Sequence, residues 1–181
     1  MSKQTLLLCA LLTVSKFFIA QSDERHSVID LALKAQNSIE GNLNTGAIMP
    51  LEWATNSSVA CFPSTRLAEF RGNHVLYRIN LPASSEVTVT VTPKNKKDRI
   101  NVYALRFGAD SLETPPDNQR AISCEAAYTM YAGKPNYKTA NKAKSVSLMS
   151  IQKEYTILIG VAGTVDVLEG DYELDIEIVS R

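Results

Sequence analysis

The sequence has little of what most catalytic, metal-binding and nucleic-acid-binding proteins depend on. Its 181 residues include only two His, three Cys and one Trp, and 19 basic residues balance 19 acidic ones. The absence of net positive charge disfavours a dedicated nucleic-acid-binding protein, since such domains are usually basic. The few Cys and His have no zinc-ligand spacing. No long apolar run follows the first 20 residues, so we predict no membrane span there.

Catalytic motifs are also missing. The sequence contains no G-x-S-x-G, H-E-x-x-H, P-loop or C-x-x-C pattern. His74 begins a predicted strand, and we interpret it as a surface or strand-end His. Glu173, Asp175 and Glu177 alternate along one strand, about 7 Å apart, and such a row is typical of a solvated face or a protected edge strand. We therefore predict a protein that is not an enzyme.

The first 20 residues resemble a signal peptide. Lys3 precedes an apolar stretch over residues 5–14, and Ala20 is a small residue suited to cleavage before Gln21. Lys16 and Phe18 depart from the usual pattern, so an N-terminal anchor or a buried helix stays an alternative. The prediction is a secreted or periplasmic protein.

Removal of this leader takes Cys9 with it and leaves Cys61 and Cys124. An even pair of cysteines in an oxidising compartment favours a disulfide bond. Two buried free thiols are the alternative.

Hydrophobic spacing divides the rest of the chain. Residues 23–40 carry apolar side chains at helical spacing and predict an N-terminal helix, although residues 38–43 also alternate like a strand. Residues 41–50 are rich in Gly, Asn and Thr and read as a loop. The predicted organisation is a signal peptide (1–20), an N-terminal helix and linker (21–50) and a β domain (51–181).

From residue 74 the hydrophobic period becomes two. Strands are predicted at 74–81, 87–91, 99–107, 122–131, 146–149, 155–161 and 172–178, with turns or loops between them, including a long Pro-containing loop over 108–120. No alternation of strands and helices occurs, which disfavours a parallel α/β sheet. The fold class predicted is all-β, an antiparallel, jelly-roll-like β-sandwich.

Several of these strands resemble those of bacterial pre-peptidase C-terminal domains and related collagen-binding modules. The resemblance covers about residues 70–179 and rests on YRINLPA at 77–83, VTVTV at 87–91, RINVYAL at 99–105, YTILIGVAG at 155–163 and GDYEL at 170–174. It implies a sandwich of secreted proteins that is usually non-catalytic and binds extracellular matrix and calcium. The Cys pair and the 108–120 loop lie outside that pattern, and no catalytic region precedes it.

Candidate ligand sites lie in two loops. Asp166, Glu169 and Asp171 flank Gly170 and offer hard oxygen ligands for Ca²⁺, although three acidic residues in a turn are also typical of plain solvation. No other cofactor is predicted.

A second loop interleaves aromatic and basic side chains: Tyr131, Lys134, Tyr137 and Lys138. With the basic turn at 94–99 it could form a polyanion or glycan site, and solvated loops are the alternative. Trp53 and Tyr128 are further stacking candidates for a sugar, and Trp53 is better interpreted as a core residue.

These observations favour a secreted, non-catalytic recognition or structural module that binds an extracellular protein or matrix component. The alternatives are a carbohydrate-binding jelly-roll lectin and an accessory or inhibitory partner of an extracellular enzyme.

Overall fold

The structure is a computed structural model that describes residues 27–32, 35–59, 61–95, 97–129 and 143–181. Over these ranges the chain folds into two β-sheets that pack face to face, which confirms the predicted all-β sandwich. Within the same ranges, no helix combines the length and the apolar content needed to cross a bilayer. The predicted signal peptide (1–20) lies outside the described residues.

The described residues form ten strands, one short helix and two 3₁₀ turns. The strands are β1 (Val28–Asp30), β2 (Gln36–Asn42), β3 (Ala47–Ile48), β4 (Asn73–Leu81), β5 (Ser85–Pro93), β6 (Ile100–Gly108), β7 (Ser123–Ala127), β8 (Lys144–Ser150), β9 (Tyr155–Gly163) and β10 (Asp171–Ser180). A short helix α1 (Glu52–Asn56) and 3₁₀ turns at Leu43–Thr45 and Ser64–Phe70 complete them. The seven strands predicted after residue 74 are thereby confirmed, with end points shifted by up to four residues; residues 130–131 of the strand predicted over 122–131 lie outside the described residues.

One sheet has six strands, in the order β1-β4-β9-β6-β7 with β3 also paired to β4. The other has four strands, in the order β2-β10-β5-β8. All pairs are antiparallel except β1 with β4. Strands that follow one another along the chain repeatedly lie in different sheets, as β4 and β5 do. Most of the chain must therefore be in place before either sheet is complete.

The helix predicted over residues 23–40 is wrong for the part that the structure describes. Val28–Asp30 forms β1 beside β4, and Gln36–Asn42 forms β2 beside β10. The strand alternative over residues 38–43 holds as far as Asn42, where β2 ends in a 3₁₀ turn. Pairing with strands more than 40 residues away overrode the local helical spacing, as tertiary context commonly does.

The two sheets differ in how they meet solvent. Strands β5, β8 and β10 bury alternate residues, whereas β4, β6 and β9 are buried almost throughout. The six-stranded sheet therefore packs on both faces. One face meets the other sheet in a core that includes Val89, Ile157 and Leu174. The other lies under residues 49–70, the covering segment, whose Trp53, Phe62 and Phe70 pack on Tyr103.

Cys61 and Cys124 tie the covering segment to the sheet beneath it. The structure joins the two residues in a disulfide, with Cα atoms 4.9 Å apart, a separation typical of such bonds. Cys124 lies on β7 and Cys61 lies between α1 and the second 3₁₀ turn. The bond closes a loop across 63 residues and holds the covering segment at the edge of the six-stranded sheet.

Candidate functional site

The outward side of the four-stranded sheet is an ordered polar surface, which we call the open face. Register pairing aligns its side chains in rows across β2, β10, β5 and β8. The rows are Glu40, Glu173 and Thr92; Ser38, Asp175, Thr90 and Ser145; Gln36, Glu177, Thr88 and Ser147; and Val179, Glu86 and Met149. Each is exposed or half-buried, because the period-two alternation of these strands turns the neighbouring residues into the core.

Carboxylates dominate the charge of the open face. Glu40 accepts a hydrogen bond from Lys94 Nζ at 2.6 Å, and Glu86 is paired with Arg181, so the two cations lie at the periphery. Glu173 accepts a hydrogen bond from the Ser38 hydroxyl at 2.6 Å. Among the described residues, no cation pairs with Glu173, Asp175 or Glu177. The centre of the face is therefore negative.

The strand that carries this acidic row is not at an edge of its sheet. β10 lies between β2 and β5 and hydrogen-bonds to both. The expectation that Glu173, Asp175 and Glu177 protect an edge strand is therefore wrong, because an internal strand has no unpaired edge to protect. Of the two expectations for this row, the solvated face remains.

Hydroxyl groups cover the other half of the open face. The Thr88 and Ser147 hydroxyls are 3.2 Å apart, and those of Thr90 and Ser145 are 2.7 Å apart. Cross-strand hydroxyl pairs of this kind hold short side chains in fixed positions. The face therefore presents ordered polar groups with no aromatic ring in any row.

The residues predicted to bind calcium do not form a ligand set. Asp166 lies in a turn with φ +67°, and Asp171 accepts a hydrogen bond from Asn42 Nδ2 at 2.7 Å. Within the described ranges, no group of three or more Asp, Glu, His or Cys side chains has an arrangement that could hold a metal ion. Calcium binding at Asp166, Glu169 and Asp171 thus stays a prediction from the sequence.

Glu169 and Asp171 instead border an acidic cleft of about 450 Å³ with Asp98, beside the open face. Burial raises the pKa of Asp98, and the charges of Asp171 and Glu169 raise it further. Asn95 Nδ2 donates to Asp98 at 3.2 Å, and Lys94 stands on the same rim. The cleft therefore extends the negative surface around one end of the sheet.

The aromatic and basic residues predicted to bind ligand cannot be placed. Tyr131, Lys134, Tyr137 and Lys138 all lie outside the described residues. In the basic turn, Arg99 pairs with the buried carboxylate of Glu69 at 3.1 Å. Lys94 likewise pairs with Glu40, so these two cations of the basic turn form ion pairs within the protein.

The described aromatic side chains are buried or half-buried. Trp53 is 6% exposed and packs against Phe62 and Tyr103, which confirms its interpretation as a core residue. Tyr128 is half-buried, with its ring edge-on to Phe70 and the guanidinium of Arg66 5.9 Å from its centre. A stacking platform on the surface is therefore not formed by these rings.

His74 is buried, so its interpretation as a surface residue is wrong, whereas its position near the start of β4 agrees with a strand-end residue. It is 1% exposed, with Nε2 2.6 Å from the Phe70 carbonyl oxygen and Nδ1 3.1 Å from the Tyr103 hydroxyl. A carbonyl accepts, so Nε2 carries the proton and donates to Phe70, and Nδ1 accepts from Tyr103. His74 thereby joins β4 to the covering segment.

A second cleft, the Trp53 cleft, lies on the opposite side of the sandwich from the open face. It has a volume of about 330 Å³ and is formed by α1 and the loop between β6 and β7. Its lining residues are Glu52, Trp53, Asn56, Ser57, Pro116, Asn118 and Gln119. Sequence reasoning gave no sign of it, since its two walls are about 60 residues apart in the chain.

Comparison with known proteins gives a resemblance of fold only. No protein-family model matches the sequence, and no curated protein does. A periplasmic inhibitor of g-type lysozyme, PliG from Aeromonas hydrophila, shares 10% identity at a TM-score of 0.43, covering 84% of this chain and 96% of that one. The pre-peptidase C-terminal domain of a Bacillus anthracis collagenase shares 10% identity at a TM-score of 0.39, and the match covers 87% of this chain and 99% of that one. The surface-associated copper-binding protein CorA of Methylomicrobium album BG8 shares 8% identity at a TM-score of 0.40, and the match covers 86% of this chain and 98% of that one.

Proposed function

We propose that this protein is a secreted or periplasmic, non-catalytic recognition module that binds the basic surface of an extracellular protein through its open face. The observation that carries the proposal is the row Glu173, Asp175 and Glu177 on the internal strand β10. An internal strand needs no charge for edge protection, and among the described residues no cation lies within ion-pair distance of the row, although Lys94 acts on Glu173 electrostatically from the periphery.

The charge of the open face selects the chemistry of its partner. A row of carboxylates about 7 Å apart repels itself and attracts Lys and Arg side chains of an approaching protein. Clustered charge of one sign also steers association and makes its rate sensitive to salt. Anionic glycans and nucleic acids are disfavoured by the same charge.

The shape of the face favours a protein over a small molecule. Four strands spaced about 4.8 Å apart and about seven residues long span an area near 400 Å². A standard protein–protein interface buries about 800 Å² on each partner. The open face would supply about half of such an interface, and the acidic cleft at Asp98 adjoins it.

Two further features support the location and the absence of catalysis. The disulfide between Cys61 and Cys124 is the kind of bond that persists in oxidising compartments. The buried His74 is engaged by Phe70 and Tyr103, so it is not free to act as a base at the surface. No metal or other cofactor is part of the proposal.

The test is an array of secreted and matrix proteins and glycans, probed with the chain beginning at Gln21, with calcium and with EDTA. A variant with Glu173→Gln, Asp175→Asn and Glu177→Gln neutralises the row. A matched variant with Asp117→Asn, Glu125→Gln and Glu154→Gln removes the same charge from exposed residues outside the face. Hits are then measured by surface plasmon resonance at 50 and 500 mM NaCl.

We expect binding to basic proteins that weakens at least tenfold in the face variant and at high salt, and changes less than twofold in the control. Equal binding by both variants, binding to glycans alone, or an array without hits would overturn the proposal. Binding to a matrix protein that is lost in EDTA but kept in the face variant would instead favour the calcium prediction at Asp166, Glu169 and Asp171.

A further inference from the structure

Two buried N–H donors without a protein partner belong to residues that line the Trp53 cleft. Trp53 is 6% exposed and Asn118 is 3% exposed. Within the described part of the chain, neither Trp53 Nε1 nor Asn118 Nδ2 has a hydrogen-bond acceptor. A buried donor left unpaired costs about 1–3 kcal/mol. The two residues come from different elements, so a single local distortion does not account for both.

Both donors are held in place by packing and by backbone contacts. The Trp53 ring lies 6.0 Å from Phe62 and 5.7 Å from Tyr103, measured between ring centres. The backbone N–H of Asn118 donates to the Pro116 carbonyl, and the Asn118 carbonyl accepts from Ala121. The packing leaves both donors without another acceptor among the described residues, and neither N–H is open to solvent in this arrangement, so a ligand acceptor must enter as the cleft wall relaxes.

The remaining lining residues supply polar groups of both kinds. Glu52, an exposed carboxylate at the start of α1, can only accept hydrogen bonds when ionised. Asn56 and Gln119 carry exposed amides that both donate and accept. Pro116 adds an apolar ring to the same wall. A ligand that fits must therefore accept from Trp53 and Asn118 and also donate to Glu52.

We propose that the Trp53 cleft binds a neutral sugar of one or two rings. A hydroxyl group is both donor and acceptor, so neighbouring hydroxyls of one ring can pair with the indole N–H, the Asn118 amide and the Glu52 carboxylate. The cleft volume of about 330 Å³ lies at the lower end of the range of small-molecule sites. This site is independent of the open face and of the proposed protein partner.

Other ligand classes fit the lining less well. An anion would meet the Glu52 carboxylate, and a cation would leave both N–H donors unpaired. An extended peptide pairs best with an exposed strand edge, whereas the walls here are a helix and a loop. A buried water molecule is the simplest competing occupant, and the experiment separates it from a sugar.

The single Trp of the sequence makes the test direct. Labelling with ¹⁵N-tryptophan gives one indole N–H signal in a two-dimensional NMR spectrum, and that signal belongs to Trp53. The labelled chain from Gln21 is titrated with glucose, galactose, N-acetylglucosamine, maltose, lactose and chitobiose, each to 50 mM. We expect at least one of these sugars to shift the indole signal in a saturable way.

Three variants locate the binding. Asn118→Ala removes one donor, and we expect the sugar affinity to fall about tenfold. Glu52→Ala changes an exposed residue and should keep the fold, so it serves as the second variant if Asn118→Ala does not fold. Its sugar affinity should also fall. Glu154→Ala removes an exposed carboxylate elsewhere and should leave sugar affinity unchanged.

An indole signal that none of the six sugars moves would overturn the proposal and indicate a water-filled cleft. A shift of equal size and affinity in the Glu52→Ala and Glu154→Ala variants would overturn it as well. The proposed function of the open face is unaffected by either result, since the residues changed within the two sites are different and only the controls share Glu154.

Discussion

The Tyr77 hydroxyl lies 2.8 Å from the Tyr172 hydroxyl, and this hydrogen bond joins the two sheets across the core. Tyr77 belongs to β4 and Tyr172 to β10, and both side chains are almost fully buried. Burial raises the pKa of both phenols, so both stay neutral over the physiological range. Each hydroxyl thus satisfies the other within the core.

This pairing predicts a non-additive effect of mutation. Tyr172→Phe leaves the buried Tyr77 hydroxyl without its partner and should lower the free energy of unfolding by about 1–3 kcal/mol. The double variant Tyr77→Phe/Tyr172→Phe removes both polar groups and should be less destabilised than the single variant. Urea denaturation of the wild type, Tyr77→Phe, Tyr172→Phe and the double variant measures the coupling, and simple additivity would contradict it.

Gly160 is predicted to be intolerant of a side chain. A Cβ at this position would overlap the ring of Tyr103, which is fully buried and unable to move aside. Gly160→Ala should lower the melting temperature by about 2–12 °C, since overpacking of a core commonly costs about 1–3 kcal/mol and each kcal/mol shifts the melting temperature of a chain of this size by about 2–4 °C. Gly108→Ala is the control, because a Cβ there has no heavy atom within 4 Å. Equal melting temperatures of the two variants would contradict the packing.

The Cys61–Cys124 bond should stabilise the covering segment in particular. A loop that spans 63 residues predicts a loss of about 4 kcal/mol when both cysteines become Ser, on the chain-entropy model. Trp53 fluorescence and limited proteolysis should show the covering segment opening first. The wild-type protein in dithiothreitol is the matched comparison. If reduction leaves stability and the Trp53 signal unchanged, the bond has no such role.

Lys144 predicts a rise in stability with pH. Burial lowers its pKa to about 8 from the ordinary 10.5, although the nearby Glu69 carboxylate acts in the opposite direction and Arg99 in the same one. Between these two pH values the unfolded chain binds more protons than the folded one, so the free energy of unfolding should increase with pH. We expect a gain of about 2 kcal/mol from pH 7 to 9.5.

The control for this prediction is Lys144→Met, which removes the titrating amine while keeping most of its apolar stem. Its free energy of unfolding should vary less over the same pH range. The range stops below pH 10 because the buried Tyr77, Tyr103 and Tyr172 have raised pKa values, so unfolding becomes easier once the unfolded phenols ionise. Parallel pH curves for the two proteins would contradict the role of Lys144.

Repulsion within the acidic row of the open face should lower the stability of the protein, and this effect should depend on salt. Glu173, Asp175 and Glu177 repel one another, so replacing them with Gln, Asn and Gln should stabilise the protein by about 1 kcal/mol at low ionic strength. The difference should shrink at 0.5 M NaCl, where screening is strong. Thermal unfolding at both salt concentrations measures it. A stability difference that does not change with salt would indicate a packing effect instead.

Local pattern was informative wherever one face of a strand meets solvent. The alternation of Val87, Val89 and Val91 with Thr88 and Thr90 predicted β5 and its two faces. Tyr172, Leu174 and Ile176 predicted β10 in the same way. At Val28 and Ile39 the local spacing favoured a helix, and distant strands decided otherwise.

The candidate sites were less accessible to sequence reasoning. The acidic row was visible, but whether β10 lay at an edge or inside the sheet depended on β2 and β5, which are remote in the chain. The hydroxyl pairs of β5 with β8 required their register. The Trp53 cleft required α1 and the loop at Pro116 and Asn118 to meet, and no periodicity encodes that meeting.

Local patterns alone were enough to predict the all-β class, most strands and the two-faced character of β5 and β10, because alternation along a strand is a local property set by the pleat. The neighbours of β10, the strands formed by residues 28–30 and 36–42, and the meeting of Trp53 and Asn118 in one cleft depend on long-range contacts and could not be predicted from local pattern. Strand order and cleft formation depend on contacts between residues far apart in the chain, and their free energy exceeds the small local preferences that a sequence pattern records.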